Sequence, residues 1–287
     1  MNGDAPRVGY VGLGQMGSAM AGRLLETGVQ LIVFDLNPET MAEAVGLGAE
    51  PAGSTAEVAA FADVVSICVP DAHHVSSVLD GLGEGAVVGL PVLVHSTIHP
   101  DAVAACRMQA AIWGGVLHDV CVAGGAVAAS AGELVLFVGG RADLPPAAAT
   151  LLSYYSSHIV EAGPVGSGAA MKLAFNVLTY AQFAASAVAF EIAEGAEVDT
   201  DALVDAWRHV GQLGSLTEQF LPVLSIPAEH VVGDFRDSLR STVGIARKDL
   251  RLAADLCVVG DLGGMVEALE KAMPEVFGVA DEIREAP

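Results

Sequence analysis

Only three lysines occur in the chain, Lys172, Lys248 and Lys271. Lys172 stands where an ammonium is electrically costly. It follows Gly163-Pro-Val-Gly166-Ser-Gly168-Ala-Ala-Met and precedes Leu-Ala-Phe-Asn176, in the early turns of an apolar helical stretch. Burial and the positive end of a helix dipole both oppose charge there. Both would bring its pKa toward the working pH, as a general acid or base requires. Asn176 lies one helical turn on and shares the same face, where its amide can orient a substrate. The competing reading is a lysine that lays its stem on apolar surface and reaches water with its head. Lys248, in Lys248-Asp249-Leu250 beside Arg247 and Arg251, reads equally as a site residue or as part of a solvated basic face. Lys271 reads as surface.

A second constellation sits at the start of the chain. An apolar run from Val8 leads into Gly12-Leu13-Gly14-Gln15-Met16-Gly17, the G-x-G-x-x-G pattern. Gly12 permits the tight turn, Gly14 lets backbone approach a pyrophosphate, and Gly17 lets helix and strand pack closely. The helix start then offers N–H groups and partial positive charge to the anion. Asp35 closes the run Leu31–Phe34, about 20 residues further on, where a carboxylate accepts from ribose hydroxyls. It would repel a 2′-phosphate. Leu36, Asn37 and the residues after them bring no cation, and no Lys or Arg lies between Arg23 and Arg107. The reading is therefore NAD over NADP. The competing reading of Asp35 is a helix cap or turn acid.

These residues need a scaffold, and the rest of the chain describes one. Short apolar runs at 8–11, 31–34, 64–69, 92–95, 117–121 and 134–138 alternate with helical stretches such as 18–27 and 56–61. Nearly all-apolar strands alternating with helices predict a mainly parallel sheet covered on both faces. After Gly163-Pro164 the strand signals stop. Helical patterns follow at 167–194, 200–211, 216–223, 239–258 and 262–283. The expected organisation is an α/β domain over 1–163 and an all-α domain over 164–287.

The stretch 167–194 is long enough to span a bilayer, which takes about 20 apolar residues. It is interrupted by Lys172, Asn176, Gln182, Glu191 and Glu194, and no basic flank orients it. The expectation is no membrane partner, the helix being buried by the second domain and a partner subunit.

Composition excludes other classes. The 287 residues are 53% hydrophobic and 17% charged, so the chain is not disordered. A net charge of −22 argues against nucleic acid and anionic membrane surfaces. Cys68, Cys106, Cys121 and Cys257 form no CxxC pair or zinc spacing, so no metal is expected. Thiols of this kind, and a start without a secretory pattern, predict a cytoplasmic protein. His73, His74, His95, His99 and His118 fall near strand ends and could be polar cleft residues, but none has a readable triad or metal partner.

Four blocks together resemble the β-hydroxyacid dehydrogenases, the group containing 3-hydroxyisobutyrate dehydrogenase and the 6-phosphogluconate dehydrogenase relatives. They are Gly12–Met20; Ser96-Thr97-Ile98-His99-Pro100; Asp119-Val-Cys-Val-Ala123-Gly124-Gly125 with Gly132-Glu-Leu134; and Gly166-Ser-Gly168 with Lys172, Asn176 and Lys248-Asp249-Leu250. The resemblance covers nearly the whole chain. It implies a Rossmann-type domain and a helical domain joined by a long helix, in a homodimer or homotetramer. It implies that Lys172 is the acid/base and that Asn176 helps bind a small carboxylate substrate. Val69, Pro70, Thr97 and Lys248 would line the cofactor cleft. Backbone N–H groups of Ala123-Gly124-Gly125 would hold the substrate carboxylate.

Three departures stand out. Ala123 replaces the family's Ser, His95 replaces the Asp before Ser-Thr-Ile, and 238–247 lacks the usual Phe-containing spacing. They bear on the substrate more than on the reaction. Two other readings stay open: an imine reductase, whose members commonly carry Asp or Tyr at the lysine position, and a binding or scaffold protein without turnover.

Overall fold

A computed structural model describes residues 6–280, apart from 157 and 259. The chain divides into two compact units, Met1–Lys172 and Leu173–Pro287. The division falls inside the long helix, whereas the sequence reading placed it after residue 163.

The first unit alternates β1 (Val8–Val11), α1 (Gln15–Glu26), β2 (Leu31–Phe34), α2 (Pro38–Gly46), β3 (Glu50–Pro51), α3 (Thr55–Phe61), β4 (Val64–Ile67), α4 (Ala72–Gly85), β5 (Pro91–Val94), α5 (Pro100–Ile112), β6 (Val116–Ala123), α6 (Gly125–Ala131), β7 (Val135–Gly139), α7 (Pro146–Tyr155) and β8 (His158–Gly163). The eight strands form one sheet in the order β3-β2-β1-β4-β5-β6-β7-β8. Pairing is parallel throughout except between β6 and β7. This is the expected Rossmann-type, mainly parallel architecture. The chain winds outward from β1 through β2 and β3, then returns to place β4 on the other side of β1. That reversal opens a crevice beyond the carboxyl ends of β1 and β4. Val8, Tyr10, Leu24, Val33, Leu93, Val120, Leu136 and Tyr155 are among the residues of its core.

Two strands were absent from the expectation. β3 is a two-residue pairing, too short to show a pattern. β8 mixes exposed and half-buried residues because it lies at the sheet's edge, so it lacks an apolar run.

The second unit is helical, as expected. It takes up α8 (Ser167–Gly195) beyond Lys172, then α9 (Thr200–His209), α10 (Ser215–Leu224), α11 (Gly233–Leu256) and α12 (Leu262–Val276). Its core joins Leu173, Tyr180, Val243, Leu250 and Met273 to a ring cluster in which Phe183 stacks on Phe220 at 4.2 Å. α11 begins earlier than 239 because its first turn is mostly exposed and shows no apolar periodicity. α12 ends at Val276, and the expected helical residues 281–283 lie outside the described ones. By length and composition α8 could cross a membrane, yet only 28% of its most apolar window is buried within the chain.

Candidate functional site

The glycine loop sits at the crevice mouth, and its three glycines are required for different reasons. Gly12 has φ +95°, and a Cβ there would run into the Cys68 carbonyl. A Cβ on Gly17 would strike the Gly12 carbonyl. Both are therefore required by the chain's own packing. Gly14 is not. Its φ of −63° and ψ of −175° suit any residue, and a Cβ would meet nothing within 4 Å. Its missing side chain clears space that the protein leaves open. α1 starts at this point with no side-chain cap and no acid in its first turn, so its first N–H groups keep their capacity for an anion. These residues fit a dinucleotide pyrophosphate.

Asp35 ties the loop to the neighbouring strand. One carboxylate oxygen accepts from the Leu13 N–H and the other from the Asn37 N–H at 2.8 Å. Asp35 is thus a turn acid, and it lies at the loop as well. A carboxylate offers about four acceptor positions, which leaves capacity for ribose hydroxyls. Asn37 caps α2 through the Glu39 N–H at 2.9 Å, and Leu36 is 86% exposed. Gln15 is exposed and Met16 half-buried.

Ser96 connects the next two expected contacts, although the sequence reading gave it no role of its own. Past the end of the β4–β5 ladder, the Val69 N–H donates to its hydroxyl at 3.0 Å. One side chain therefore holds the Val69-Pro70 loop beside Thr97. Ala123 ends β6 and is buried. Gly124 and Gly125 follow with φ of +129° and +76°, a turn that favours glycine.

Lys172 is partly buried in the second turn of α8. The start of that helix is held by Asp119, which is 1% exposed. Its two oxygens accept from the Gly166 and Ala169 N–H groups, each at 2.8 Å. Gly139 and Gly168 give it room, since a Cβ on either would press on the carboxylate. This corrects the electrostatic expectation for Lys172: a buried anion already opposes the positive end of the helix dipole. The sequence reading quoted Asp119 within a motif but gave it no role. Its partners lie nearly 50 residues away in sequence.

Asn176 and Lys248 meet through one carboxylate in the second unit. Asn176 Nδ2 lies 2.7 Å from Asp249 Oδ2, and Lys248 Nζ lies 3.1 Å from Asp249 Oδ1. Lys248 is thus paired and partly buried, not a residue of a fully solvated face.

The histidines divide. His73 and His74 are exposed at the start of α4, where His74 pairs with Asp71 at 2.8 Å. His99 caps α5 through the Asp101 N–H. His118 is buried against the Gly139 carbonyl, and burial lowers its pKa. His95 belongs to the core and not to a polar cleft. Its Nδ1 lies 2.8 Å from the Val120 carbonyl oxygen and its Nε2 3.0 Å from Ser66 Oγ, which in turn lies 3.2 Å from the Tyr155 hydroxyl. The exchange of the family's acid for His95 is met by this buried network.

Burial pulls the His95 pKa down to about 4. Below about pH 6.5 the unfolded chain takes up a proton that the folded chain refuses until about pH 4. Stability should fall across that window by up to about 3 kcal/mol. Thermal melts from pH 7 to pH 4.5 will show this, with a flatter dependence for His95→Gln. Equal slopes for the two proteins would refute it.

Residues 7–163 match the model of the NAD binding domain of 6-phosphogluconate dehydrogenase. An uncharacterised oxidoreductase of Mycobacterium tuberculosis is 37% identical over 260 residues, 88% of this chain and 86% of the relative. The 3-sulfolactaldehyde reductase of Escherichia coli is 33% identical over 255 residues, 87% and 82% of the two chains. A crystal structure of 3-hydroxyisobutyrate dehydrogenase from Salmonella typhimurium superposes with a TM-score of 0.77 at 28% identity, covering 95% of each chain. With its glycine loop at the crevice and Lys172 on the long helix, the chain belongs to the β-hydroxyacid dehydrogenase family, within the oxidoreductases of the 6-phosphogluconate dehydrogenase superfamily.

Proposed function

We propose that this protein is an NAD-dependent dehydrogenase that interconverts a small β-hydroxy acid with its semialdehyde or keto acid. The observation that carries the reading is Gly14, a glycine that the fold does not need and that a bound pyrophosphate does. The dinucleotide, when bound, supplies the hydride acceptor or donor. Asp35 accepts from the ribose hydroxyls, and Val69, Pro70, Thr97 and Lys248 line the cofactor cleft. Backbone N–H groups of Ala123, Gly124 and Gly125 hold the substrate carboxylate, and Asn176 helps bind the substrate. Lys172 takes the hydroxyl proton at Nζ during oxidation and returns it during reduction. Ala123, which lacks the family's hydroxyl, favours a second reading as a nucleotide-binding protein with weak turnover.

The test is a nucleotide-reduction screen of C3–C6 hydroxy acids, with cyclic imines alongside and NAD compared with NADP. The expected outcome is turnover of a hydroxy acid, with kcat/KM at least about tenfold higher for NAD. A repulsion of 1.4 kcal/mol between Asp35 and a 2′-phosphate suffices for that ratio. A preference for NADP refutes the cofactor assignment. Tight NAD binding without turnover of any substrate favours the second reading.

The described part of α8 carries Leu178, Val188 and Ile192, all more than half exposed. We propose that a second copy covers this stripe in a homodimer or homotetramer, with no nucleic acid or membrane partner. Light scattering should give a mass of two or four chains, and Leu178→Glu with Val188→Glu should lower it. A monomeric wild type refutes the proposal. Cys68, Cys106, Cys121 and Cys257 form no disulfide among the described residues, and we place the enzyme in the reducing cytoplasm.

A further inference from the structure

The Ser96 hydroxyl stands in for a backbone acceptor. The ladder beyond β4 continues to Cys68, whose N–H donates to the Val11 carbonyl at 2.8 Å. The ladder beyond β5 continues to His95, whose N–H donates to the Ile67 carbonyl at 2.9 Å. The next N–H of the β4 loop, on Val69, donates to a side chain instead, Ser96 Oγ at 3.0 Å. Ser96 is 6% exposed, and the Cys121 thiol of β6 lies 3.7 Å from its carbonyl oxygen. Val69 also meets the glycine loop, since a Cβ on Gly12 would lie 2.9 Å from Val69 Cγ1. The bond to Ser96 therefore holds the segment that borders the glycine loop on the side of β4. Asp35 borders it on the other side, because β1 lies between β2 and β4. A dinucleotide with its pyrophosphate at the glycine loop and its adenosine ribose at Asp35 has its nicotinamide half on the side of β4 and β5.

We propose that Ser96 is a positioning residue for the nicotinamide half of the dinucleotide, holding the Val69-Pro70 segment in the placement that receives it. This rests on the reading that the chain binds NAD. Without the hydroxyl the Val69 N–H loses its acceptor, and the segment samples other placements. The affinity for a ligand that needs the held placement falls with the fraction of molecules that keep it. ADP ends at the pyrophosphate. It can engage the glycine loop and Asp35 without reaching the Val69-Pro70 segment, so it does not carry that loss.

The test is calorimetry of NAD and ADP binding to the full-length protein as wild type, Ser96→Ala and Ser96→Thr. Ser96→Ala should weaken NAD about tenfold, the size expected when a buried donor is left unpaired. The same variant should weaken ADP by less than about twofold, because the held placement does not bear on it. Ser96→Thr keeps the acceptor and should stay within about threefold of wild type for both ligands. If Ser96→Ala does not fold, Ser96→Cys takes its place with the same expected ratio, since a thiol is a weak acceptor of similar shape. Equal weakening of NAD and ADP would show a general structural role and overturns this inference, as does an unchanged affinity for NAD. Either result leaves the dehydrogenase reading intact. A wild type that does not bind NAD overturns that reading, and this inference with it.

Discussion

Lys172→Ala should lower kcat by about 10²–10⁴-fold, the loss expected when a positioned proton donor and acceptor is removed. NAD affinity, measured by calorimetry, should stay within a few-fold of wild type, because the glycine loop and Asp35 belong to other elements. The melting temperature should change little, since Lys172 is partly buried and not part of a packed core. The loss should lie in kcat more than in KM if, as proposed, the Lys172 amine acts on a proton that moves only in the transition state. A primary amine added to the buffer should restore part of the rate to the variant. Near wild-type turnover would end the acid/base assignment, whatever the cofactor results.

Asp119→Ala is the second large effect, and it falls first on stability. The substitution leaves the Gly166 and Ala169 N–H groups without their acceptor in a site that is 1% exposed. Each orphaned donor costs about 1–3 kcal/mol, and the helix start loses a favourable anion. A loss of about 3 kcal/mol or more is expected. This corresponds to a fall in Tm of roughly 6–12 °C for a chain of this size. Asp119→Asn should fall between the two, because an amide oxygen can serve one N–H while its own –NH2 faces the other. Activity should fall further than the folded fraction alone accounts for, because α8 is the helix that carries Lys172. A variant with unchanged Tm would show that Asp119 does not anchor the helix.

Legibility in the sequence followed burial. β1 and β2 end where the reading put them, because each is an apolar run stopped by a glycine or an acid. β6 was read as 117–121, across the buried His118 and Asp119, and missed Val116 and Val122-Ala123 at its two ends, where it adjoins glycines. Nothing in a linear pattern distinguishes a charged residue at a strand end from one pinned beneath a distant helix. The same limit applied to His95, which was read near the substrate. Its partners Ser66, Val120 and Tyr155 come from three other elements. The glycine loop was legible because its requirements are local: a tight turn, an open approach and a helix start, all within six residues. Asp249 stood in view beside Lys248, but its hydrogen bond to Asn176 spans 73 residues.

The sheet's margins also limit how copies of this chain can aggregate. β3 contributes two residues, and Pro51 has no N–H to donate. At the far margin β8 carries an exposed Glu161, a charge that any added strand would have to lie against. Short, proline-ended and charged borders resist extension by another chain's backbone. Fibril growth by strand addition therefore has little to start from at either border.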